Sequence, residues 1–263
     1  MNVVVCMKQV PDTANVRMNP ETNTLMREGV ESIANPFDEY ALEQALALKD
    51  SAGATVTVVS MGPPQACAVL RDALARGADR ALLVSSRAFG GADTLATGYT
   101  LSCAITKACG GETPDLVLFG KQAIDGDTAQ VGPGVSEFLG VPLVTYVKEL
   151  RIDASQGTFS ATTAMDDGEY KVEGRLPAVM TVLKEAAEPR FAPLAGAMRA
   201  AAAKIETLDE KSIGADLSRI GFRGSPTKVV KIFPPPTRTG GRKTVWNGNA
   251  AELADAVKEA ING

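Results

Sequence analysis

Residues 3–7, Val-Val-Val-Cys-Met, form a short apolar run in which β-branched side chains dominate. Because no polar residue alternates within it, the run is typical of a parallel strand that is covered on both faces. Similar runs recur at residues 55–60, 80–84 and 115–119, and amphipathic segments rich in Ala and Leu lie at residues 39–49, 64–76 and 94–109. This alternation predicts an α/β fold, a Rossmann-like parallel sheet with helices on both faces.

The pattern changes after about residue 145. Residues 150–163 and 168–182 predict antiparallel strands, with turn residues at 155–157 and 166–168, and residues 176–182 predict a further sheet strand. Residues 190–205 are rich in alanine and predict a surface loop that runs into a helix. We therefore expect a small antiparallel extension beside the parallel sheet.

The last 58 residues or so form a different kind of segment. They contain isolated glycines and a run of three prolines at 234–236, too little regular apolar pattern for an independent core. A terminal helix is predicted over residues 250–261, with Asn249 as its N-cap. We divide the chain into an α/β nucleotide-binding domain at 1–205 and an extended arm at 206–263, which packs either on a partner subunit or on its own domain.

The composition excludes several classes of protein. The 263 residues include 27 basic and 31 acidic side chains, a net charge of −4, which gives no reason to expect nucleic-acid binding. The chain has no histidine, which removes Ser-His-Asp and Cys-His catalysis and most catalytic zinc sites. Four cysteines without CxxC spacing argue against a zinc site or a disulfide framework. With no leader-like or membrane-spanning run in the sequence, we expect a cytoplasmic protein.

Polar loops follow the predicted parallel strands, where ligands bind in open sheets of this kind. Lys8-Gln9-Val10-Pro11-Asp12 is either a binding rim or a solvated loop. Met61-Gly62-Pro63-Pro64 is either an ordinary turn or a helix start that offers N–H groups to a phosphate or an adenine edge.

A third loop contains paired glycines. Phe89-Gly90-Gly91-Ala92-Asp93-Thr94-Leu95-Ala96-Thr97 suggests a phosphate or flavin cradle, since Asp93 and Thr94 would begin a helix. It matches neither GxGxxG nor a Walker A loop. The alternative is a glycine turn before a helix and nothing more.

The fourth loop, residues 120–133, is the most informative. It mixes a cation, acids, amides and hydroxyls before a helix predicted at 131–139, so its backbone N–H groups could bind a pyrophosphate while Gln and Asp side chains contact ribose hydroxyls. An acidic pair could hold magnesium instead. Asn35-Pro36-Phe37-Asp38 adds an extended Asn before Pro, and we expect Asp38 to cap the next helix.

Several separated blocks give the chain a recognisable identity: residues 5–12, 35–38, 76–80, 120–132 and 188–198. In order and spacing they resemble the β subunit of electron-transferring flavoproteins along nearly the full chain. The resemblance implies an adenine-nucleotide-binding fold that pairs with an α subunit carrying FAD. The β subunit itself would hold AMP or, in a bifurcating subgroup, a second FAD.

The resemblance also implies which residues touch the nucleotide. By position they would be Cys6, Asn35, Phe37, Asp38, Ser60, Met61, Gly62, Gly120, Gln122, Ala123, Asp125, Gly126, Asp127, Thr128, Ala129, Gln130 and Val131. Gly90, Gly91, Asp93, Thr94 and Thr97 look like the bifurcating subgroup, whose FAD accepts electrons from NADH. Glycines would leave room for the flavin ring, and the threonines could hydrogen-bond it.

Partner recognition is the last implication. Residues 188–198 would form a recognition loop for dehydrogenases, with Leu194 as its anchor. Unlike respiratory members, which place several lysines after this loop, the chain continues with Arg199 and four alanines. The expected partners are the α subunit, an acyl-CoA dehydrogenase and a ferredoxin or flavodoxin.

Two other functions remain possible from the sequence. The chain could be a structural subunit whose AMP only stabilises a heterodimer, because ligand binding adds folding stability. It could also be an ATP-hydrolysing or adenylating enzyme of related fold, but it lacks a convincing phosphate loop. A flavin carrier needs no catalytic acid or base of its own, which agrees with the missing histidines.

Overall fold

A computed structural model describes residues 1–12, 17–18, 25–26, 31–228, 230 and 248–262. The chain divides into two compact units, 1–228 and 229–263. In the second unit, helix α6 (Ala250–Asn262) begins after Asn249, whose side chain accepts a hydrogen bond from the Glu252 N–H group at 3.0 Å. The predicted terminal helix and its N-cap are therefore confirmed.

A nine-stranded sheet forms the centre of the first unit. The strands of the chain are β1 (Asn2–Cys6), β2 (Gln9–Pro11), β3 (Arg17–Met18), β4 (Leu25–Met26), β5 (Ser32–Ala34), β6 (Thr55–Met61), β7 (Arg80–Val84), β8 (Leu116–Gly120), β9 (Leu143–Asp153), β10 (Thr158–Met165), β11 (Gly168–Arg175), β12 (Ala178–Val182) and β13 (Glu206–Leu208). Their order in the large sheet is β11-β10-β9-β12-β8-β1-β6-β7-β13. Every pair from β9 to β13 in this order is parallel, and β9, β10 and β11 pair antiparallel. The predicted fold class is thus confirmed.

Helices cover both faces of the sheet. They are α1 (Pro36–Ala52), α2 (Cys67–Arg76), α3 (Thr94–Ala108), α4 (Val131–Leu139) and α5 (Leu194–Ala202). One apolar core packs α1 and α2 against the sheet, and a second core on the opposite face packs α3 and α4. Alternate residues of β1 enter the two cores, Val3 and Val5 the first and Val4 and Cys6 the second. This explains why the first strand is apolar throughout.

The antiparallel extension begins with β9, which is longer than predicted because it also pairs with β12 in the parallel sheet. The pairing register shifts near residues 145–147, and Tyr146 lies there with a φ of 56°. The Tyr146 N–H group donates to Thr181 Oγ1 at 3.0 Å. A left-handed tyrosine at this bulge turns its side chain toward the end of the sheet where the parallel strands finish.

Residues 206–228 differ from the predicted arm. We expected the arm to begin at 206, but β13 pairs with β7, and Ile213 and Ile220 are buried in the second core. The division between the two units falls after residue 228. The expectation that the remaining C-terminal residues pack on an α subunit stays a prediction.

Candidate nucleotide site

The site lies where the direction of chain winding reverses. β1 sits between β6 and β8; the helix that follows β1 covers one face of the sheet, and the helix that follows β8 covers the other. A crevice opens outside the carboxyl ends of two such strands, and it is the usual ligand position in open α/β sheets. The loops after β1 and β8, residues 7–12 and 121–130, border this crevice.

Asp38, the third residue of α1, joins these two loops. Its Oδ2 accepts a hydrogen bond from the Lys8 N–H group at 2.8 Å, and its Oδ1 accepts one from the Gly120 N–H group at 3.2 Å. The expectation that Asp38 caps its own helix is wrong, because Asn35 occupies the N-cap position. Burial raises the pKa of Asp38 to about 7, although these two hydrogen bonds and the Lys8 charge act to lower it.

Asn35 ties the start of α1 to the loop after β8. Only 1% of the residue is exposed; its Nδ2 donates to the Gln122 carbonyl at 2.9 Å, and its Oδ1 accepts from the Ile124 N–H group at 3.2 Å. Pro36 holds Asn35 extended, at φ −60° and ψ 121°. The side chain satisfies loop groups that would otherwise need water, which explains why an asparagine is buried here.

Polar pairs line the rim of the crevice. Lys8 Nζ contacts both carboxylate oxygens of Asp125, at 2.7 and 2.8 Å, and Gln122 Nε2 donates to Asp127. Loop residues Asp125, Gly126, Asp127, Thr128 and Gln130 are exposed, whereas Gln122, Ala123, Ala129 and Val131 are half-buried. The loop therefore presents amide, hydroxyl and acidic groups, a set suited to ribose hydroxyls.

The backbone of this loop is strained. Asp127 and Ala129 have φ angles of 52° and 53°, a region that non-glycine residues rarely adopt. Helix α4 then begins at Val131, after Gln130, whose side chain makes no capping hydrogen bond. Asp127 and Thr128 lie three and two residues before this N-cap. The start of α4 follows the loop that borders the crevice, and no side chain among the described residues caps it, so the N–H groups of Val131 and Gly132 could bind an anion.

The start of α3 lies beside the start of α4. Thr94 Oγ1 hydrogen-bonds Gln130 Oε1 at 3.0 Å, which brings the third and fourth loops together. Asp93 caps α3 by accepting hydrogen bonds from the N–H groups of Leu95 and Ala96, at 3.0 and 3.1 Å. Burial acts to raise the pKa of Asp93, but its hydrogen bonds outweigh that effect and lower it. Since a carboxylate already occupies this helix start, α3 is less suited to a phosphate than α4.

The paired glycines are packed by the chain itself. A Cβ on Gly91 would lie 3.3 Å from Phe222 Cβ, and the Phe222 N–H group donates to the Gly90 carbonyl at 2.9 Å. Asp93 also binds Thr227 through the backbone N–H group and the hydroxyl, at 3.0 and 2.8 Å. The missing side chain at Gly91 thus leaves room for residues 220–228, and the expectation of open space at this position is not met.

The end of β6 and the residues that follow it include a buried hydroxyl. Ser60 is fully buried, and its Oγ has no hydrogen-bond partner among the residues that the structure describes. Met61 is half-buried, and the Gly62 N–H group donates to the Val84 carbonyl at 3.0 Å, so that group is used within the fold. Cys6 ends β1 next to Asp38, and burial, helped by the Asp38 charge, raises the pKa of its thiol. The thiol is therefore neutral.

Three neighbouring groups were not among the expected contacts. Lys8 pairs with Asp125, and Lys121 Nζ lies 5.5 Å from the centre of the Tyr146 ring. Lys121 directly follows β8, and Lys8 lies two residues after the end of β1, so their positions beside the strand ends could have identified them. No local pattern reveals Tyr146, because its place depends on the bulge in β9.

Metal binding and membrane crossing find no support in the described part of the chain. Within it, no three Cys, Asp or Glu side chains lie together as a metal site would require. None of its helices combines the length and apolar character needed to cross a bilayer. A groove of about 550 Å³ lies away from the crevice, on α3 and α4, and is lined by Tyr99, Ser102, Cys103, Thr106, Lys107, Gly110, Gly111, Phe138, Leu139, Ile213 and Arg219.

The predicted recognition segment lies at the opposite end of the strands. Arg190 contacts Glu43 at 2.7 Å and Asp50, in the last turn of α1, at 2.8 Å. Gly196 packs against the carbonyl of Ala75, in the last turn of α2. Because helices run antiparallel to the strands they connect, these turns lie at the amino ends of the strands. Phe191, Leu194 and Met198 are 96%, 79% and 68% exposed there.

Known proteins are similar to this chain along nearly its whole length. The electron transfer flavoprotein domain matches residues 22–213. The chain is 47% identical over 266 residues to the electron transfer flavoprotein subunit beta of Megasphaera elsdenii, covering 99% of this chain and 98% of the relative. It is 45% identical over 263 residues to the caffeyl-CoA reductase-Etf complex subunit CarD of Acetobacterium woodii, covering 98% of each. Protein FixA of Azorhizobium caulinodans is 48% identical over 262 residues, covering 98% and 92%.

Proposed function

Since the chain belongs to the electron transfer flavoprotein family, and its near-full-length relatives include β subunits, we propose that it binds FAD in this crevice. It would act as the β subunit of a heterodimer, take electrons from NADH and pass them through the FAD of the α subunit. The acceptors would be an acyl-CoA dehydrogenase and a low-potential carrier such as ferredoxin. This is flavin-based electron bifurcation.

The observation that carries the nucleotide proposal is the uncapped start of α4 inside the crevice. The first-turn N–H groups at Val131 and Gly132 would hold the phosphates, helped by the positive end of the helix dipole. Gln122 and Asp127, whose side chains bond each other at the rim, would bind ribose hydroxyls. Ser60, whose buried hydroxyl has no partner among the described residues, fits a ligand atom at the end of β6.

FAD, when bound, supplies the electron transfer itself. This chain's residues supply position and environment, since the site contains no histidine and its buried thiol is neutral. Thr94 and Thr97 lie in the first turn of α3, beside the α4 start. Thr97 would donate to the flavin ring, whereas Thr94, whose hydroxyl donates to Gln130, would accept from it. The similarity to a subunit of a caffeyl-CoA reductase complex supports a partner that acts on a CoA thioester.

One observation favours a second candidate, a β subunit that holds structural AMP and does not bifurcate. Phe222 fills the space beside Gly91 that a flavin ring was expected to use. AMP needs only the loops at the strand ends, and those loops are complete without the glycine pair. The two candidates therefore share the phosphate and ribose contacts and differ only beside α3.

Nucleotide content decides between them. We would co-express the chain with its α subunit, denature the purified heterodimer, and quantify the released FAD and AMP. The proposal expects two FAD and no AMP per heterodimer, with reduction by NADH as the following test. One FAD with one AMP would establish the structural subunit instead, and release of neither nucleotide from this chain would contradict both.

The recognition segment carries a separate prediction. Leu194→Ala should slow electron transfer to the dehydrogenase about tenfold, because burial of one leucine at an interface stabilises it by roughly 1.5–3 kcal/mol. Nucleotide content should stay unchanged, since Leu194 lies at the opposite end of the strands from the crevice. The measurement is dehydrogenase-linked dye reduction at limiting heterodimer concentration.

Leu217→Ala provides the matched control, because Leu217 is 55% exposed and lies outside the recognition segment. It should leave the rate unchanged. If both variants slow the reaction equally, or if Leu194→Ala loses nucleotide, the assignment of the segment is wrong.

A further inference from the structure

We propose that Asp38 is a positioning residue that sets the width of the nucleotide crevice by holding the β1 and β8 loops at a fixed separation. The inference rests on the proposed function for its consequence, nucleotide retention, but its geometric part stands alone. Both of its carboxylate oxygens accept hydrogen bonds from the protein, which gives Asp38 a role besides the nucleotide contact that the resemblance implies.

The geometry shows why a carboxylate is needed here. The ladder between β1 and β8 ends at the pair Cys6 and Phe119. Directly beyond it, the N–H groups of Lys8 and Gly120 point to Asp38 instead of to the neighbouring strand. The Asp38 carboxylate therefore links β1 and β8 beyond the point where their own backbone pairing ends. It also fixes Lys8, the second residue of the loop after β1, and Gly120, the residue from which the loop after β8 begins.

Only a small residue at position 120 permits this arrangement. A Cβ on Gly120 would lie 2.5 Å from Asp38 Oδ1 and 2.4 Å from the carbonyl carbon of Phe37. Asparagine has nearly the same shape as aspartate but offers one acceptor and one NH₂ donor. Asp38→Asn would consequently leave either the Lys8 or the Gly120 N–H group facing a donor, while the volume of the side chain is kept.

The ionisation of Asp38 should control the same contact. Two titratable or charged groups lie near it on the β1 side, Cys6 and Lys8. On the β8 side the nearest is Asp125, which forms an ion pair with the Lys8 side chain. Burial raises the pKa of Asp38 to about 7. Below that pH the acid carries a proton that opposes one of the two N–H donors, so the loops should loosen as the pH falls.

The experiment measures amide hydrogen exchange at pH 8 in three heterodimers with the α subunit, which contain the wild-type chain, Asp38→Asn or Asp115→Asn. Asp115 is a matched control because it also accepts a backbone hydrogen bond on β1, from the Asn2 N–H group at 2.6 Å, but at the other end of the strands. Asp38→Asn should speed exchange about tenfold in peptides covering residues 7–12 and 120–130. Asp115→Asn should leave these peptides unchanged.

Nucleotide release supplies a second readout that needs no variant. The release rate from wild type should rise about tenfold between pH 8.5 and pH 6, and release from Asp38→Asn should be fast at both pH values. Unchanged exchange in Asp38→Asn, or a wild-type release rate that does not depend on pH, would overturn the positioning role. If the chain retains no nucleotide at all, the proposed function fails, while hydrogen exchange still tests the inference.

Discussion

Replacing Gly120 with alanine is expected to destabilise the protein by about 3 kcal/mol and to abolish nucleotide retention. The added Cβ would meet the carbonyl carbon of Phe37 at 2.4 Å and the backbone nitrogen of Asp38 at 2.7 Å. Both atoms belong to the first turn of α1, which is packed on the sheet and cannot shift as a flexible side chain could. The substitution would also displace the Asp38 carboxylate from the Gly120 N–H group.

The matched control is Gly134→Ala in α4. There an added Cβ meets no atom within 4 Å, and alanine is the better helix former by about 0.5–1 kcal/mol. Urea unfolding of both variants should therefore give changes of opposite sign, and released nucleotide should be lost from only one of them. A Gly120→Ala variant with wild-type stability would show that the start of α1 can move away from β8.

Stability should depend on pH through Asp38. The free energy of unfolding of wild type, measured relative to Asp38→Asn, should fall by about 4 kcal/mol between pH 4 and pH 8. The folded chain binds the proton with a pKa of about 7, against about 3.9 in the unfolded chain. Between these two values the folded state holds more protons than the unfolded state. The contribution of Asp38 to the free energy of unfolding is therefore present below pH 4 and is lost as the pH rises to 7, whereas the ionised form above pH 7 is the one that holds the two loops.

The subtraction isolates one group, because the other carboxylates contribute equally to both proteins. Urea titrations at several pH values between 4 and 8 give the two curves, and their difference should become flat above pH 8. A difference that stays flat between pH 5 and pH 8 would mean that the hydrogen bonds from Lys8 and Gly120 outweigh burial, so that Asp38 is ionised throughout this range. In that case the two loops would not loosen as the pH falls through 7.

The sequence was sufficient to predict the parallel sheet and the loops at its carboxyl edge. Continuous apolar runs have one physical explanation, burial on both faces, and chain order alone places the loops that follow them. The contacts made by Asp38 could not be predicted in this way. Its acceptor oxygens meet groups 30 residues before it and 82 residues after it, and an aspartate after Asn-Pro-Phe resembles an ordinary helix cap.

The paired glycines show a second limit. Gly90 and Gly91 suggested space for a ligand, but glycine indicates only that something approaches closely. In the structure that neighbour is Phe222, which lies far along the chain in a segment with little periodicity. β13 escaped prediction for a related reason, since three residues are too few to show a pattern and their burial depends on the free edge of β7.

The ion pairs between Arg190 and α1 have a consequence for how such proteins diverge. They hold the segment with the exposed Phe191, Leu194 and Met198 at the amino ends of the parallel strands, whereas the crevice lies at their carboxyl ends. Under the proposed function, mutations could change the exposed residues of the recognition segment without affecting the residues that hold the nucleotide. Under that function, partner specificity and nucleotide binding could be selected independently within one chain.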